Sequence, residues 1–151
     1  MIRLFSIKTI LILLSLLSVS LISNAQTAKS SIQNNPWTDD QLLKPEKLAD
    51  MINRKENVKI YNIGVVENIK GAVNIGGASK PENLEKFRKT LKDLPKKQTI
   101  VIYCGCCPMG KCPNIRPAFN LLSAEKFTNI KLLELPDNIK IDWIDKGYPI
   151  E

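Results

Sequence analysis

Four cysteines stand within nine residues, in the run Tyr103-Cys104-Gly105-Cys106-Cys107-Pro108-Met109-Gly110-Lys111-Cys112-Pro113, and the chain has no others. A thiol acts as nucleophile or metal ligand in its thiolate form, which a helix N-terminus or a nearby cation stabilises. The run meets that requirement by position. It follows an apolar segment at 99–103 and precedes a helical pattern that begins near Arg116. A thiol at the end of a buried strand, in a loop aimed at the positive end of a helix, is well placed to carry charge. The chemistry of this chain is therefore expected on sulfur, with Cys104 as the thiol that the strand delivers.

Histidine is absent from all 151 residues. Ser-His-Asp and Cys-His catalysis are excluded. So are His-ligated zinc and haem attachment through C-x-x-C-H. Any activation of a cysteine falls to backbone amides, a helix dipole, Lys or Arg. Gly105, Lys111 and Arg116 are the candidates for holding a substrate beside the thiols: Gly105 through its amide, the other two through their charge.

The first 25 residues are set apart from the rest. Arg3 and Lys8 form a basic start, residues 9–22 are apolar, and Ser23-Asn24-Ala25 supplies small residues at a cleavage site. That is the pattern of a secretory signal peptide cut between Ala25 and Gln26. The apolar run is short of the ~20 residues that span a bilayer, so no stable membrane insertion is expected after cleavage. The protein is expected in the periplasm or secreted. Residues 26–36 are polar and fit a disordered linker, and residues 37–151 form one domain. The net charge of +7 becomes +5 without Arg3 and Lys8, with 20 Lys and Arg against 15 Asp and Glu. The positive residues are scattered among acids, without a basic stripe or interleaved aromatics, which argues against nucleic acid as a partner. A mild attraction for small anions is compatible with this surface. A monomer is expected.

Several chemistries remain open for the run itself. An even cysteine count in a secreted chain fits a disulfide framework. Cys106, Cys107 and Cys112 are the disulfide or resolving candidates, with Cys112 joined to Cys106 or Cys107. A Cys106–Cys107 bridge would join adjacent residues and is strained. A pure staple would more usefully join distant segments. An all-sulfur donor set also suits Cu(I) or zinc, although an all-cysteine zinc site usually draws on two separated C-x2-C pairs. A dithiol–disulfide redox protein is the third reading, with C-x-x-C present only as Cys104-Gly105-Cys106-Cys107. No cofactor and no resident metal are expected.

The elements around the run alternate. Thr38 is a plausible N-cap of a short turn. Lys44-Pro45-Glu46 opens a helix with Leu48, Met51 and Ile52 on one face. Residues 58–63 alternate and end at Gly64, residues 72–75 form a short strand, and residues 81–94 form a second helix with Leu84, Phe87, Leu91 and Leu94 as its stripe. Residues 99–103 suit a central strand buried on both faces. Pro117 is tolerated only in the first turn of the third helix, which places the N-cap at Asn114 or later. Residues 130–135 form a further strand, and residues 142–147 a last helical turn closed by Gly147. Strands alternating with helices imply an α/β domain with a parallel sheet flanked by helices on both faces.

In this order, three segments resemble the rhodanese (sulfurtransferase) domain family over residues 37–151. Tyr61-Asn62-Ile63-Gly64 with Ile69-Lys70-Gly71-Ala72-Val73-Asn74-Ile75 resembles the family's early strand and its H-I-P-G-A-x-N-I stretch. Ile100-Val101-Ile102-Tyr103-Cys104 resembles the strand that delivers the catalytic cysteine. Leu133-Glu134-Leu135, Trp143 and Gly147-Tyr148-Pro149-Ile150 resemble the C-terminal segment. The resemblance implies a rhodanese-like three-layer fold and a sulfurtransferase of the thiosulfate:acceptor type. It implies a persulfide on Cys104, and as partners a small sulfur-containing anion and a thiol acceptor. The chain departs from the family at named positions. Asn62 and Gly64 replace an Asp-x-Arg, Asn68 replaces a His, and Pro136-Asp137 replaces a Gly-Gly. The C-x4-R loop is lengthened so that eleven residues separate Cys104 from Arg116.

Overall fold

The computed structural model describes residues 35–151. The expected signal peptide, and all of the expected linker up to residue 34, lie outside the described residues. Five strands form one sheet: β1 (Leu42–Leu43), β2 (Val58–Asn62), β3 (Ala72–Asn74), β4 (Thr99–Tyr103) and β5 (Ile130–Leu133). Their order is β1-β5-β4-β2-β3, and every neighbouring pair is parallel. β4 is therefore the central strand, as its unbroken apolar run implies. Three helices connect the strands: α1 (Pro45–Asn53), α2 (Pro81–Leu91) and α3 (Ile115–Ala124).

Two of these helices start on proline for a local reason. Pro45 and Pro81 occupy first-turn positions, where the missing N–H has no intrahelical partner to lose. Pro117 sits third in α3, with Asn114 as N-cap. The elements differ from expectation at their ends. α2 stops at Leu91 rather than running to residue 94, because Leu94 closes a separate turn onto Leu91 ahead of Pro95. β5 stops at Leu133, although Glu134 still donates its amide to Leu43. The last helical turn is a π-type turn at Lys140–Ile144, followed by Gly147 at φ +71°. Thr38 and Gln41 form the expected capped turn at Asp39–Gln41. β1 was not expected, since two residues display no period.

The period of two along β4 divides the core. Ile100 and Ile102 face α2 and α3, among Phe87, Leu91, Ala118, Phe119 and Leu122. Val101 and Tyr103 face the other side, with Leu48 and Ala49 of α1 and Trp143 of the π-type turn. Helices thus cover both faces, and the same alternation carries Cys104 onto the α3 side. Trp143 is fully buried, donates Nε1–H to the Pro149 carbonyl at 3.0 Å, and meets Tyr148 edge-on at 5.1 Å. It holds the C-terminal turn against the sheet. One antiparallel bridge, Ile69 with Ile150, closes this end over the β2–β3 connection.

The sheet reverses its winding beside Cys104. The chain passes from β2 outward to β3 on one side, and from β4 outward to β5 on the other. The carboxyl ends of β2 and β4 therefore border the crevice where open α/β sheets bind ligands.

Because Trp143 is fully buried in this layer, Trp143→Ala is expected to lower unfolding free energy by about 3–5 kcal/mol. Urea unfolding of the described domain measures it. A loss below about 1 kcal/mol would mean that the C-terminal turn is held by other contacts.

Candidate active site

Cys104 directly follows β4, and its side chain is 1% exposed. Its surroundings come from three segments that the fold brings to the end of the strand. The first is the β2 terminus. A Cβ built on Gly64 would lie 2.6 Å from the Cys104 carbonyl oxygen and 2.8 Å from its Sγ. No side chain fits there, so the β2 loop lies with its bare backbone against the thiol. That gives a steric cause for glycine at this position. Asn62, also fully buried, shapes the same loop. Its Oδ1 accepts the Gly64 N–H at 3.0 Å, while its Nδ2 donates to the Val66 carbonyl and to Asn68 Oδ1. On the same face as Asn62, and opposite Cys104, the Tyr103 hydroxyl accepts the Ile69 N–H at 2.9 Å and donates to the Glu67 carbonyl at 3.1 Å. The segment 64–69 is thereby fixed by two neighbouring side chains of one face of the sheet.

The second segment is the start of α3. Asn114 is 6% exposed and does not cap the helix with its side chain. Its Oδ1 accepts the Ser79 N–H at 2.9 Å, which orients the amide so that Nδ2 donates to Cys104 Sγ at 3.2 Å. Gly77 lies close by, since a Cβ there would come within 3.3 Å of Asn114 Oδ1. A hydrogen bond to a charged acceptor is roughly twice as strong as a neutral one. The Asn114 contact therefore gains strength when Cys104 ionises.

The third segment is the cysteine loop. Gly105 takes φ +69°, and a Cβ there would collide with Ile139 Cβ at 2.8 Å. The Ile139 amide donates to the Gly105 carbonyl. The tight turn returns Cys106 Sγ to 3.2 Å from Cys104 Sγ. A short 3₁₀ turn at Met109–Lys111 then buries Cys112 to 1% exposure. The sulfurs of Cys104, Cys106 and Cys112 all lie within 4.8 Å of one another. Cys107 is partly exposed, with its Sγ 3.5 Å from that of Cys106.

All four thiols are free, so the disulfide reading of Cys112 with Cys106 or Cys107 finds no bridge in this structure. The 3₁₀ turn carries Cys112 inward among core side chains, and Cys106 lies against Cys104.

The thiols differ in acidity because they share hydrogen bonds unequally. Cys104 is lowered to about 5, chiefly by the Cys112 thiol beside it, against the cost of burial, with further lowering by the Asn114 amide and by the Cys106 thiol and amide. Cys106 is pushed up to about 12 by burial and by its place next to Cys104. Cys112 is pushed up strongly, first by donating to Cys104 and then by burial. One sulfur accepts and two donate, so the cluster concentrates a single negative charge on Cys104 near neutral pH.

The two expected cations sit apart from each other. Lys111 is exposed on the 3₁₀ turn. Arg116, in the first turn of α3, turns its guanidinium toward the Trp37 ring at 5.6 Å and donates from Nη2 to Asn35 Oδ1 at 2.8 Å. Its Nε is buried without a partner. Sequence reasoning named Asn114 only as a cap, and Gly64 as a strand end and a departure from the family's Asp-x-Arg. Their contact with Cys104 carries no local signal, because 40 positions separate Gly64 from that cysteine and ten separate Asn114.

Gly64→Ala is expected to force the Cys104 thiol from its position. Overpacking of this kind costs about 1–3 kcal/mol. The rate of Cys104 alkylation by iodoacetamide near pH 6 should fall with it. Unchanged alkylation and stability would show that the β2 loop yields freely.

Comparison with known proteins supports the fold. No protein-family description matches the chain, and no curated protein matches it. Among solved structures, a thiosulfate sulfurtransferase from Pseudomonas aeruginosa superposes with a TM-score of 0.53 at 18% identity. The superposition covers 73% of this chain and 20% of that one, so the chain spans about a fifth of the length of the enzyme it matches. The parallel five-stranded α/β sheet of this chain is the fold of that neighbour.

Proposed function

We propose that this chain is a sulfurtransferase that carries sulfane sulfur as a persulfide on Cys104. The observation that carries the reading is the thiol at the carboxyl end of the central strand, held by Asn114 Nδ2 and accompanied by Cys106. A nucleophile anchored on a rigid strand keeps its geometry better than one carried on a loop. The fold neighbour is a thiosulfate sulfurtransferase, and a small sulfur-containing anion of that class is the proposed donor.

In the first step the Cys104 thiolate attacks the outer sulfur of thiosulfate. A Cys104–sulfur bond forms, the donor S–S bond breaks, and sulfite leaves with the electron pair. The persulfide then bears the negative charge that the thiolate bore, and the Asn114 amide and the positive end of α3 stabilise it in turn. In the second step an acceptor thiolate attacks the outer sulfur, forming a new persulfide and returning Cys104 as thiolate. A route within the chain is also available. The Cys106 thiol attacks the inner sulfur, giving a Cys104–Cys106 disulfide and releasing hydrosulfide. An external thiol then reduces that bridge. Lys111 is the exposed cation on the loop suited to the donor's anionic end, and Gly105 lends its amide. Arg116 can join only by leaving Asn35.

Incubating the reduced protein with thiosulfate should add about 32 Da to the intact mass, the increment of one sulfur. Cys104→Ser should abolish the addition, while Cys106→Ser and Cys112→Ser should keep it and alter its lifetime. Sulfur uptake by Cys104→Ser together with loss in Cys112→Ser would move the nucleophile to Cys112.

The reading also places the protein outside the cytoplasm. Its support is the basic start, apolar run and small-residue exit of residues 1–25. Among the described residues no helix is long and apolar enough to cross a membrane. Edman sequencing of the fractionated protein should start at Gln26, and an intact Met1 form in the cell membrane would contradict it.

A further inference from the structure

We propose that Cys104, Cys106 and Cys112 form a three-sulfur site for a soft monovalent metal ion, Cu(I), with Cys106 as the ligand through which the ion enters. The site shares thiols with the proposed sulfur chemistry but does not depend on it. Three features of the loop carry the inference.

The first is convergence. The run C-x-C-C-x4-C must fold back on itself to surround an ion, and it does so: the three Sγ atoms lie within 4.8 Å of one another. A metal–sulfur bond of about 2.3 Å, as for zinc, puts the sulfurs of a trigonal site about 4.0 Å apart. The Cys104–Cys106 pair, at 3.2 Å, has only to open slightly. Gly105 and the 3₁₀ turn produce this arrangement through the backbone.

The second is the donor set. Thiolate sulfur is soft and selects Cu(I) or zinc. A closed structural zinc site takes four protein ligands in a tetrahedron. Here the mutual cluster numbers three, no carboxylate joins it among the described residues, and the chain has no histidine. Cys107 Sγ approaches Cys106 but stands outside the cluster. Three sulfurs without a fourth donor fit a trigonal monovalent ion.

The third is the support around the sulfurs. Metal ligands are usually oriented by hydrogen bonds from outside the ligand set. Asn114 supplies one, held by the Ser79 amide and donating to Cys104. Cys104 and Cys112 are buried and Cys106 is exposed, so the cluster is dry on two sides and open on one. Binding is an exchange of ligands: three sulfur–copper bonds form, the thiol protons leave to solvent, and copper stays Cu(I).

The test uses the reduced, metal-free protein under anaerobic conditions, competing with bicinchoninate for Cu(I). The wild type should withdraw one Cu(I) per chain, and equimolar zinc should not displace it. Cys104→Ser, Cys106→Ser and Cys112→Ser should each weaken retention by about tenfold or more, at least as much as an outer-shell loss. Cys107→Ser should leave it unchanged. Cys106 is exposed, so Cys106→Ser decides the matter even if Cys112→Ser fails to fold. Failure of the wild type to compete would overturn the proposal. So would displacement by zinc, or a loss in Cys107→Ser equal to that in Cys106→Ser. Persulfide formation on the metal-free protein is read separately by mass, so either claim can fail while the other stands.

Discussion

A buried thiolate has to be solvated by the protein that buries it. Taking a charge out of water is costly, and the cost falls only if donors replace the lost water. Cys104 is almost wholly enclosed, so much of the molecule near it can be understood as the supply of those donors. α3 starts where it does so that Asn114 meets the sulfur. The Ser79 amide fixes which end of the Asn114 side chain points inward. The long loop returns one thiol from the open side and one from beneath. In a chain without histidine, these neutral donors and the helix end stand where cysteine enzymes often place an imidazolium beside the nucleophile.

The same constraint shapes what surrounds the strand. Cys104 belongs to the α3 face because the period of two along β4 puts Ile100, Ile102 and the thiol on one side. The β2 loop crosses the thiol with no side chain, and Asn62 and Tyr103, neighbours across β2 and β4, hold that loop from the face opposite Cys104. Rigidity here has a chemical use. In the proposed reaction, a nucleophile approached by an anion and then by an acceptor thiol benefits from a position set by the central strand. The loop thiols can move around it.

The sequence made the framework legible for simple reasons. β4 is a continuous apolar run, which only a doubly covered strand requires. Pro45, Pro81 and Pro117 restrict where helices begin. Cys104 stands out because it alone directly follows the strand. The contacts that define the site were not legible. Asn114 looks like a cap in any sequence, yet its amide is turned to Ser79 and Cys104 instead of to its own helix. Gly64 looks like a strand terminator, and only the folded chain brings it against the sulfur. Arg116 was placed by its charge, but Trp37 offers its guanidinium a ring face, and Asn35 a hydrogen bond. Cysteine number and compartment made a disulfide one open reading of the run, but they do not say how closely the loop gathers the free sulfurs around Cys104. β1 escaped notice because it is two residues long.

The central claim is that the cluster places one stable negative charge on Cys104. Ultraviolet thiolate absorbance of the reduced, metal-free protein, followed as pH is varied, tests it most directly. The account predicts one thiolate appearing with a midpoint near pH 5. That step should be absent from Cys104→Ser and shifted to higher pH in Asn114→Ala, since removing a donor to the charged form raises the pKa. Cys106 and Cys112 should ionise only in alkaline solution. A wild-type protein whose thiolates all appear together near the free-cysteine value of about 8.5 would contradict the account.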